Sequence, residues 1–283
     1  MTQPVSDPVS DPVSDMELSA RVAAEAGRLL LELRESRGPV EDRESADALR
    51  KDADRSSHEL IVARFAESRP DDVVLSEEGA DDPIRLDADR VWIVDPLDGT
   101  WEYGQGRADF AVHIVLWTRD ASHPAGGVLS AGTVELPAQG LTRQVADPPA
   151  PRRGLPADRP VRIVASRTRP PSTLAAAVEI LAARLAERGF DGGVEVVDVG
   201  SVGAKVNEIL SGRAEAYVHD TGFYEWDVAA PLAVAHAQGL PASHISGEPV
   251  AFNQPRPYVT DLIVGIPEVV DDLRAAMLAA QDA

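Results

Sequence analysis

The order of strand-like and helical segments changes across a proline-rich stretch, and this change restricts the possible folds. Residues 146–160 hold five prolines and show no periodic pattern. Before this stretch, short strand-like segments follow one another with few long helices between them, which favours an antiparallel or mixed sheet. After it, strand-like and helical segments alternate, as is typical of α/β structure. We therefore predict two lobes built from stacked layers of helices and sheets.

Apolar spacing predicts individual elements in both lobes. Leu and Val residues three and four apart predict a helix from Met16 to Gly38 and Pro39. A second helix is predicted over 45–67, with its Leu60, Ile61 and Phe65 facing inward. Strands of the first lobe are predicted at 73–76, 91–94, 110–117, 127–135 and 141–145. Strands of the second lobe are predicted at 161–166, 194–199, 214–219 and 261–265, and helices near 172–188, 202–211, 228–238 and 267–281.

The N-terminal residues predict a disordered tail. The tetrapeptide PVSD occurs three times between residues 4 and 15. Such a repeat carries too little apolar surface to offset the entropy of ordering it. We therefore expect a tail over 1–15, a first lobe over 16–148, a linker over 149–160 and a second lobe over 161–283.

The charge balance restricts the partners of the chain. Its 47 acidic and 27 basic residues give a net charge of -20, so long-range attraction to nucleic acid or an anionic membrane is unfavourable. The chain has no cysteine, which excludes disulfides, thiolate zinc sites and cysteine nucleophiles. No apolar run reaches the roughly 18 residues of a membrane span, and the N-terminus does not resemble a secretory signal. We expect a cytoplasmic protein with a cation among its partners.

Acidic residues stand where predicted strands and a helix begin or end. Asp95 and Asp98 directly follow an apolar strand, and Glu77 and Glu78 follow another. Asp227 opens an apolar helix. Each position has an ordinary alternative, because aspartates often serve as turn residues or helix caps. If the three groups converge, however, their repulsion requires neutralisation, and hard oxygen ligands select Mg²⁺, Mn²⁺ or Ca²⁺.

Gly99 and Thr100 add an anion site to this cluster. Free backbone amides at the start of a turn or short helix bind anions, and glycine permits a close approach. Metal ions beside an anion site indicate phosphoryl chemistry. The histidines, including His113 in the middle of a predicted strand, share no metal-ligand spacing, and we expect structural or surface roles for them.

These motifs resemble those of the inositol monophosphatase superfamily of Mg²⁺-dependent, lithium-sensitive phosphatases. The resemblance lies in DPLDGT at 95–100, the acidic pair at 77–78 and EWDVAAP at 225–231, and it extends from residue 16 to the end. It implies an α-β-α-β-α layered sandwich, with a mixed N-terminal sheet and an alternating C-terminal half. Ser76 and Tyr103 depart from the usual pattern without removing a ligand.

The resemblance also implies roles for individual residues. Two or three Mg²⁺ ions, with Mn²⁺ as an alternative, would be bound by Glu77, Asp95, the Leu97 carbonyl, Asp98 and Asp227. The amides of Gly99 and Thr100 would hold the phosphate. Asp54 and Thr100 would orient the attacking water, with Glu77 as a further member of the catalytic group.

Within the superfamily, the sequence is most similar to bacterial 3′(2′),5′-bisphosphate nucleotidases, which clear 3′-phosphoadenosine 5′-phosphate during sulfate assimilation. The similarity implies that Ser166, Arg167, Gly200, Ser201 and Lys205 contact the substrate, and Arg169 is a further cation there. Trp101 departs from the polar or basic residue usual after the threonine. We therefore predict hydrolysis of this nucleotide. Inositol monophosphate and fructose 1,6-bisphosphate are alternative substrates. A non-catalytic cation-binding homologue is an alternative of a different class. Superfamily members are often dimers, so a homodimer is also compatible.

Overall fold

A computed structural model describes residues 13–38 and 42–281 of the chain. Most of the predicted tail, residues 1–12, lies outside the described residues. The end of that prediction is wrong, because Ser14 caps a helix that begins at Asp15. The Ser14 hydroxyl accepts a hydrogen bond from the Glu17 amide, and the Glu17 carboxylate accepts one from the Ser14 amide. This reciprocal capping satisfies amides that the first helical turn leaves free.

Seven helices and twelve strands make up the described part of the chain. The helices are α1 (Asp15–Arg37), α2 (Arg43–Ser68), α3 (Thr100–Gly104), α4 (Leu174–Glu187), α5 (Val202–Leu210), α6 (Glu225–Ala237) and α7 (Pro267–Gln281). The first six strands are β1 (Val73–Ser76), β2 (Arg90–Asp98), β3 (Ala111–Arg119), β4 (Gly127–Leu136), β5 (Leu141–Gln144) and β6 (Val161–Ser166). The others are β7 (Val194–Val199), β8 (Ala216–His219), β9 (Phe223–Tyr224), β10 (Ala242–Ser243), β11 (Tyr258–Val259) and β12 (Leu262–Gly265).

The strands form two five-stranded sheets and a small ribbon. The first sheet has the order β1-β2-β3-β4-β5, and only the β1 and β2 pair is parallel. The second has the order β10-β12-β8-β6-β7, in which β6 runs parallel to both of its neighbours. Strands β9 and β11 pair antiparallel in the ribbon. The predicted mixed first sheet is thus present.

The helices and sheets stack in five layers. Helices α1 and α2 cover one face of the first sheet, and α5 and α6 lie between the two sheets. Helices α4 and α7 cover the outer face of the second sheet. The predicted α-β-α-β-α arrangement is therefore confirmed. Because α6 packs directly on β2, β3 and β4, the first and second predicted lobes share one core.

Strand β2 shows how the sequence supports these layers. Trp92 and Val94 face α1 and α2, whereas Val91 and Ile93 face the layer that contains α6. Alternate residues of a strand point to opposite faces, so a strand buried on both sides is apolar throughout. Phe65 of α2 stacks on Trp92, with 4.4 Å between the ring centroids. The inward orientation predicted for Phe65 is thus present.

Several element boundaries differ from prediction at the places where functional residues lie. Strand β2 continues to Asp98 instead of ending at residue 94, and α6 begins at Glu225 instead of near 228. The short helix α3 was predicted only as an alternative to a turn, and the β9–β11 ribbon was not predicted. The reason is that these segments are stabilised by distant partners, which override local propensity.

Candidate metal and phosphate site

The DPLD segment is held at the carboxyl end of β2 by a break in strand pairing. The register between β2 and β3 shifts between Asp95 and Asp98, so the strand bulges there. The Leu97 amide donates to Asp95 Oδ1 over 2.9 Å, and the Pro96 carbonyl accepts from the Ser57 hydroxyl of α2 over 2.8 Å. Bulges next to active sites redirect side chains. Here the bulge turns both aspartates to one side.

Gly99 reverses the chain immediately after the bulge. Its φ is +87°, in the left-handed region that glycine adopts without strain. A side-chain carbon at this position would lie only 3.1 Å from the Asp109 carbonyl oxygen. Glycine is therefore required both by the turn and by the close backbone approach, and the Thr100 amide follows at the start of α3.

Asp227 reaches the same point from the second half of the chain. It lies in the first turn of α6, and its Oδ2 accepts a hydrogen bond from the Tyr224 amide over 2.7 Å. The start of α6 is anchored by buried Glu225, whose carboxylate accepts from the amides of Asn253 and Gln254. One carboxylate oxygen each from Asp95, Asp98 and Asp227 lies within 4.8 Å of the others.

The helix α5 fixes the orientation of Asp98. Asp98 Oδ2 accepts from the Val202 amide over 2.6 Å and from the Gly203 amide over 3.3 Å. Amides at a helix N-terminus carry partial positive charge and are free to donate to a carboxylate oxygen. His113 Nε2 lies 3.4 Å from the same oxygen. Asp98 is thus oriented by the middle layer as well as by its own strand.

The parallel pairing of β1 and β2 brings the Glu77 backbone to this edge. Ser76 pairs with Val94, and the Glu77 amide donates to the Val94 carbonyl over 3.3 Å. The carboxyl ends of parallel strands meet at one edge of a sheet, as the sequence prediction required. Glu77 itself is exposed along much of its surface, but its carboxyl faces Asp95.

Crowding of these carboxyls perturbs their acidity. Burial raises the pKa of Asp95 well above its ordinary value, and repulsion from Glu77, Asp98 and Asp227 adds to it. Burial, followed by repulsion from Asp98 and Glu77, raises the pKa of Asp227 to about 8. The pKa of Glu77 is raised to about 7, chiefly by burial. Carboxylates this close together repel one another when they are ionised. A divalent cation bound by these hard oxygen donors would remove the repulsion between them.

Asp54 and Thr100 meet beside the carboxylates. The carboxyl of Asp54 lies near the Thr100 side chain. The Thr100 hydroxyl also lies 3.0 Å from the Leu97 carbonyl oxygen. Burial, then repulsion from Glu78, raises the pKa of Asp54 to about 7. A hydroxyl has one proton to donate, and Thr100 donates it to the Leu97 carbonyl, so that proton is not donated to Asp54 in this structure.

The predicted substrate-rim residues lie near the site, but two of the predicted cations are already occupied. Arg167 donates to Glu102 Oε1 over 2.8 Å and to Asp109 Oδ2 over 2.9 Å. Lys205 is 4 % exposed, and its ammonium donates to the Gly200 carbonyl and lies 5.3 Å from the centroid of the Tyr217 ring. Burial lowers the pKa of Lys205. Both cations therefore connect parts of the protein to one another.

Gly200, Ser201 and Ser166 organise the backbone of the rim. The Gly200 amide donates to Asp109 Oδ2 over 2.9 Å, and the Ser201 amide donates to the Asp109 carbonyl over 3.0 Å. The Ser201 hydroxyl caps α5 by accepting from the Ala204 amide. The Ser166 hydroxyl accepts from the Arg169 amide over 3.2 Å. These contacts position the α5 amides that hold Asp98.

Sequence reasoning missed two buried groups in the site. His113, for which we expected a structural or surface role, is fully buried beside Asp98 and the carbonyls of Trp226 and Asp227. Burial lowers the pKa of His113, although Asp98 opposes the effect. Tyr217 is also fully buried, and its hydroxyl has no hydrogen-bond partner among the described residues. Neither residue belongs to a sequence motif, so no spacing signal indicated them.

The arrangement of the layers and the acidic site together define the protein class. The chain belongs to the inositol monophosphatase family, whose pattern matches residues 13–280. The predicted family membership is confirmed. In the residues that the structure covers, no helix has the length and apolar character needed to cross a membrane.

Individual relatives show which members of the family this chain resembles in sequence and structure. The chain is 41 % identical over 253 residues to a 3′-phosphoadenosine 5′-phosphate phosphatase of Mycobacterium leprae, covering 87 % of each chain. It is 28 % identical to the 3′(2′),5′-bisphosphate nucleotidase CysQ of Escherichia coli, over 82 % of this chain and 91 % of that protein. The crystal structure of CysQ from Bacteroides thetaiotaomicron is similar with a TM-score of 0.66 and 28 % identity, over 89 % of this chain and 97 % of that one.

Proposed function

We propose that the protein is a Mg²⁺-dependent phosphomonoesterase that hydrolyses 3′-phosphoadenosine 5′-phosphate to AMP and inorganic phosphate. The observation that carries the proposal is the convergence of Asp95, Asp98 and Asp227 within 4.8 Å. Asp54, which lies near Thr100, is close enough to Glu77 to raise its pKa, and this supports a role for the pair beside the cluster. A relative that is 41 % identical bears the name of this activity, which supports the choice of substrate. We also propose that the reaction takes place in the cytoplasm, as the sequence predicts.

The donor set supports Mg²⁺ as the ion, with two or three ions and Mn²⁺ as an alternative. We assign Glu77, Asp95, Asp98, Asp227 and the Leu97 carbonyl as its ligands. All of these donors are oxygens, which Mg²⁺ prefers, and none is a soft sulfur ligand. When bound, such ions neutralise phosphate charge and make water more acidic. They also remove the repulsion that raises the pKa values of these carboxyls.

The remaining assigned groups position the attacking water and the phosphate. In our proposal the Asp54 carboxylate accepts a hydrogen bond from the attacking water, while Thr100 holds Asp54 and the water in line with the phosphorus atom. The amides of Gly99 and Thr100 face the phosphate oxygens. Holding the water and the phosphate in one geometry replaces a costly encounter in solution. The bond from phosphorus to the ribose 3′ oxygen breaks as the bond from water oxygen to phosphorus forms, and a proton from the water ends on the 3′ oxygen of AMP.

The rim residues Ser166, Arg167, Gly200, Ser201 and Lys205 stay predictions as substrate contacts. The contacts of Arg167 with Glu102 and Asp109 give it a second role, because they join the loop after β6 to α3 and to the start of β3. Ser201 and Gly200 act through the backbone that presents α5 to Asp98.

The activity is tested with purified protein, Mg²⁺ or EDTA, and a substrate series assayed side by side. The series contains 3′-phosphoadenosine 5′-phosphate, inositol 1-phosphate and fructose 1,6-bisphosphate. We expect Mg²⁺-dependent phosphate release to be fastest with the nucleotide. A higher kcat/KM for inositol 1-phosphate or fructose 1,6-bisphosphate would contradict the substrate assignment, and binding without turnover of any of them would favour a non-catalytic protein.

The variant Asp98→Asn tests the metal site directly. The amide keeps an oxygen that accepts from the Val202 amide, so the fold should be preserved. Loss of the carboxylate should reduce kcat by at least roughly 10³-fold, because the site depends on its charge. The matched control is Asp271→Asn, at a carboxylate that is 79 % exposed and pairs only with Arg274 among the described residues. Normal turnover in Asp98→Asn would contradict the assigned role.

A further inference from the structure

A buried arginine joins the segment after β1 to the second half of the chain. Arg85 lies in a single 3₁₀ turn, Pro83–Leu86, between β1 and β2, and it is only 1 % exposed. Its guanidinium forms a bidentate ion pair with Asp81, with Nε 2.6 Å from Oδ1 and Nη2 3.0 Å from Oδ2. A buried charge is tolerated only when it is paired and hydrogen-bonded, so these contacts hold Arg85 in one position.

Asn253 binds the other edge of the guanidinium. Arg85 Nη1 donates to Asn253 Oδ1 over 2.9 Å and to the Gln254 carbonyl over 3.0 Å. In return, Asn253 Nδ2 donates to the Arg85 carbonyl over 2.9 Å. Asn253 has a φ of +56°, in the left-handed region that asparagine adopts more readily than most other residues. Both ends of its side-chain amide are therefore used to hold Arg85.

The same loop holds the start of α6. Glu225 has no exposed surface, and its carboxylate accepts from the Asn253 amide over 2.6 Å and from the Gln254 amide over 2.9 Å. The Glu225 amide donates to the Pro257 carbonyl over 3.0 Å. Asp227 follows in the first turn of this helix. We call the residues that form this chain of bonds the Arg85 clasp: Asp81, Arg85, Glu225 and Asn253.

The Arg85 clasp connects two segments that carry assigned metal ligands. Glu77 directly follows β1 and opens the segment that leads to Arg85, and Asp227 lies just after Glu225. Over the described ranges 13–38 and 42–281, every hydrogen bond that joins residues 77–87 to residues 224–257 involves Arg85. Glu77 and Asp227 come from distant parts of the sequence, so their separation depends on contacts of this kind.

We propose that Arg85 is a positioning residue that acts through Asn253 to fix the separation of Glu77 and Asp227, and thereby raises the affinity of the site for Mg²⁺. This inference rests on the proposed function, because it takes Glu77 and Asp227 as ligands of the ion. Mg²⁺ requires nearly octahedral geometry, so its binding is sensitive to small displacements of a ligand. Replacing a buried ion pair by apolar residues is often neutral for stability, so fixed geometry is the better reason for this one.

Asn253→Gly and Arg85→Gln open the Arg85 clasp in two ways. Glycine accepts the left-handed backbone and keeps the two amides that bind Glu225, but it loses both side-chain contacts with Arg85. Calorimetry measures Mg²⁺ binding by the folded protein without substrate, and the dissociation constant should rise about 10- to 100-fold in each variant. The double variant should stay within about threefold of the weaker single variant, since both changes break one connection.

Arg159→Gln is the matched control. Arg159 forms a similar bidentate ion pair with buried Glu215, over 3.0 and 2.7 Å, and it precedes β6 at the end opposite to Ser166. This variant should lose stability in thermal unfolding, but its Mg²⁺ dissociation constant should stay within about threefold of the wild-type value. If the variants of the Arg85 clasp also lose stability and keep wild-type Mg²⁺ affinity, Arg85 supports only the fold and the proposal is overturned.

The kinetics give a second measurement. The Mg²⁺ concentration for half-maximal phosphate release should rise about 10- to 100-fold in Asn253→Gly, and kcat at saturating Mg²⁺ should fall less, since neither Asn253 nor Arg85 is assigned a contact with water or phosphate. A fall in kcat with unchanged Mg²⁺ dependence would contradict the positioning role. If Arg85→Gln does not fold by circular dichroism, Asn253→Gly alone decides the outcome.

The two proposals fail in different ways. If the wild type binds Mg²⁺ in a manner that depends on the Arg85 clasp but does not hydrolyse the nucleotide, the proposed function fails and the positioning role stands. If it hydrolyses the nucleotide and the variants bind Mg²⁺ normally, the proposed function stands and the positioning role is refuted. Absence of Mg²⁺ binding by the wild type at millimolar concentration also refutes the positioning role.

Discussion

Asp227→Asn should stabilise the metal-free protein at alkaline pH, although it removes a residue assigned to the metal site. The pKa of Asp227 is raised to about 8 by burial and then by repulsion from Asp98 and Glu77. In an unfolded chain the pKa of an aspartate is about 3.9. The folded chain therefore holds this proton more tightly than the unfolded chain does. The resulting stability is fully present below about pH 4 and is lost as the pH rises to about 8.

The structure sets the size of the effect. Each tenfold difference in proton affinity is worth about 1.4 kcal/mol, so the ionised carboxylate lowers the free energy of unfolding by at most roughly 6 kcal/mol. Sharing of protons with neighbouring carboxyls and partial solvent access reduce this value. We expect Asp227→Asn to recover about 1–3 kcal/mol above pH 8. The amide oxygen can still accept from the Tyr224 amide, so the start of α6 keeps its hydrogen bond.

Urea unfolding followed by tryptophan fluorescence measures this difference. In EDTA, the variant should exceed the wild type in free energy of unfolding near pH 8.5, and the gap should shrink near pH 5. Saturating Mg²⁺ should stabilise the wild type by several kcal/mol, as expected for a ligand that binds only the folded state, and the variant much less. Asp271→Asn should change stability by less than about 0.5 kcal/mol. A variant that is less stable than the wild type in EDTA near pH 8.5 would refute the reasoning.

Other substitutions address the supports of the site. Thr100→Val removes the hydroxyl near Asp54 and should lower kcat about 10²-fold or more with little change in stability. Thr100→Ser keeps a hydroxyl and should retain most activity. Equal kinetics in the two variants would contradict a role for the hydroxyl. Gly203→Ala places a carbon about 2.5 Å from His113 Nε2. This overpacking should lower the free energy of unfolding by about 1–3 kcal/mol, measured by thermal unfolding. An unchanged melting temperature would argue against this packing. Arg167→Gln removes the ion pair of Glu102 and one of the two ion pairs of Asp109, whose contact with Arg107 remains. Stability should fall by about 1–3 kcal/mol, and the loss should shrink at acidic pH where both carboxylates are neutral, as thermal unfolding at two pH values would show.

Local sequence patterns predicted the bounds of helices and strands correctly where short-range interactions determine the structure. The strands at 161–166 and 194–199 have the predicted bounds, and α7 has the predicted bounds as well. The DPLDGT motif and the acidic pair were recognised because turn residues and strand-end acids are neighbours along the chain. The predicted end of the tail at residue 15 was too late, because Ser14 and Glu17 cap α1, which begins at Asp15. A short polar repeat does not reveal that its last residues complete a cap.

The rest of the site was decided by contacts between distant segments. Asp227 is brought to Asp95 by packing of α6 against the first sheet, and the amides that orient Asp98 belong to α5. Arg167 is occupied by Glu102 and Asp109, which lie far away in sequence, whereas Arg169 stays exposed. Substrate-rim roles that rest on motif similarity therefore stay predictions.

By itself, the sequence determined most of the segments that form helices and strands and which residue types are available to bind a metal. Propensity, capping and apolar periodicity act over a few residues, so they can be read directly along the chain. Only the tertiary structure decided which carboxyls share a pocket, which cations stay free, and where His113 and Tyr217 lie. Burial and the electric field at a side chain depend on atoms contributed by remote segments, and those neighbours exist only once the layers have packed together.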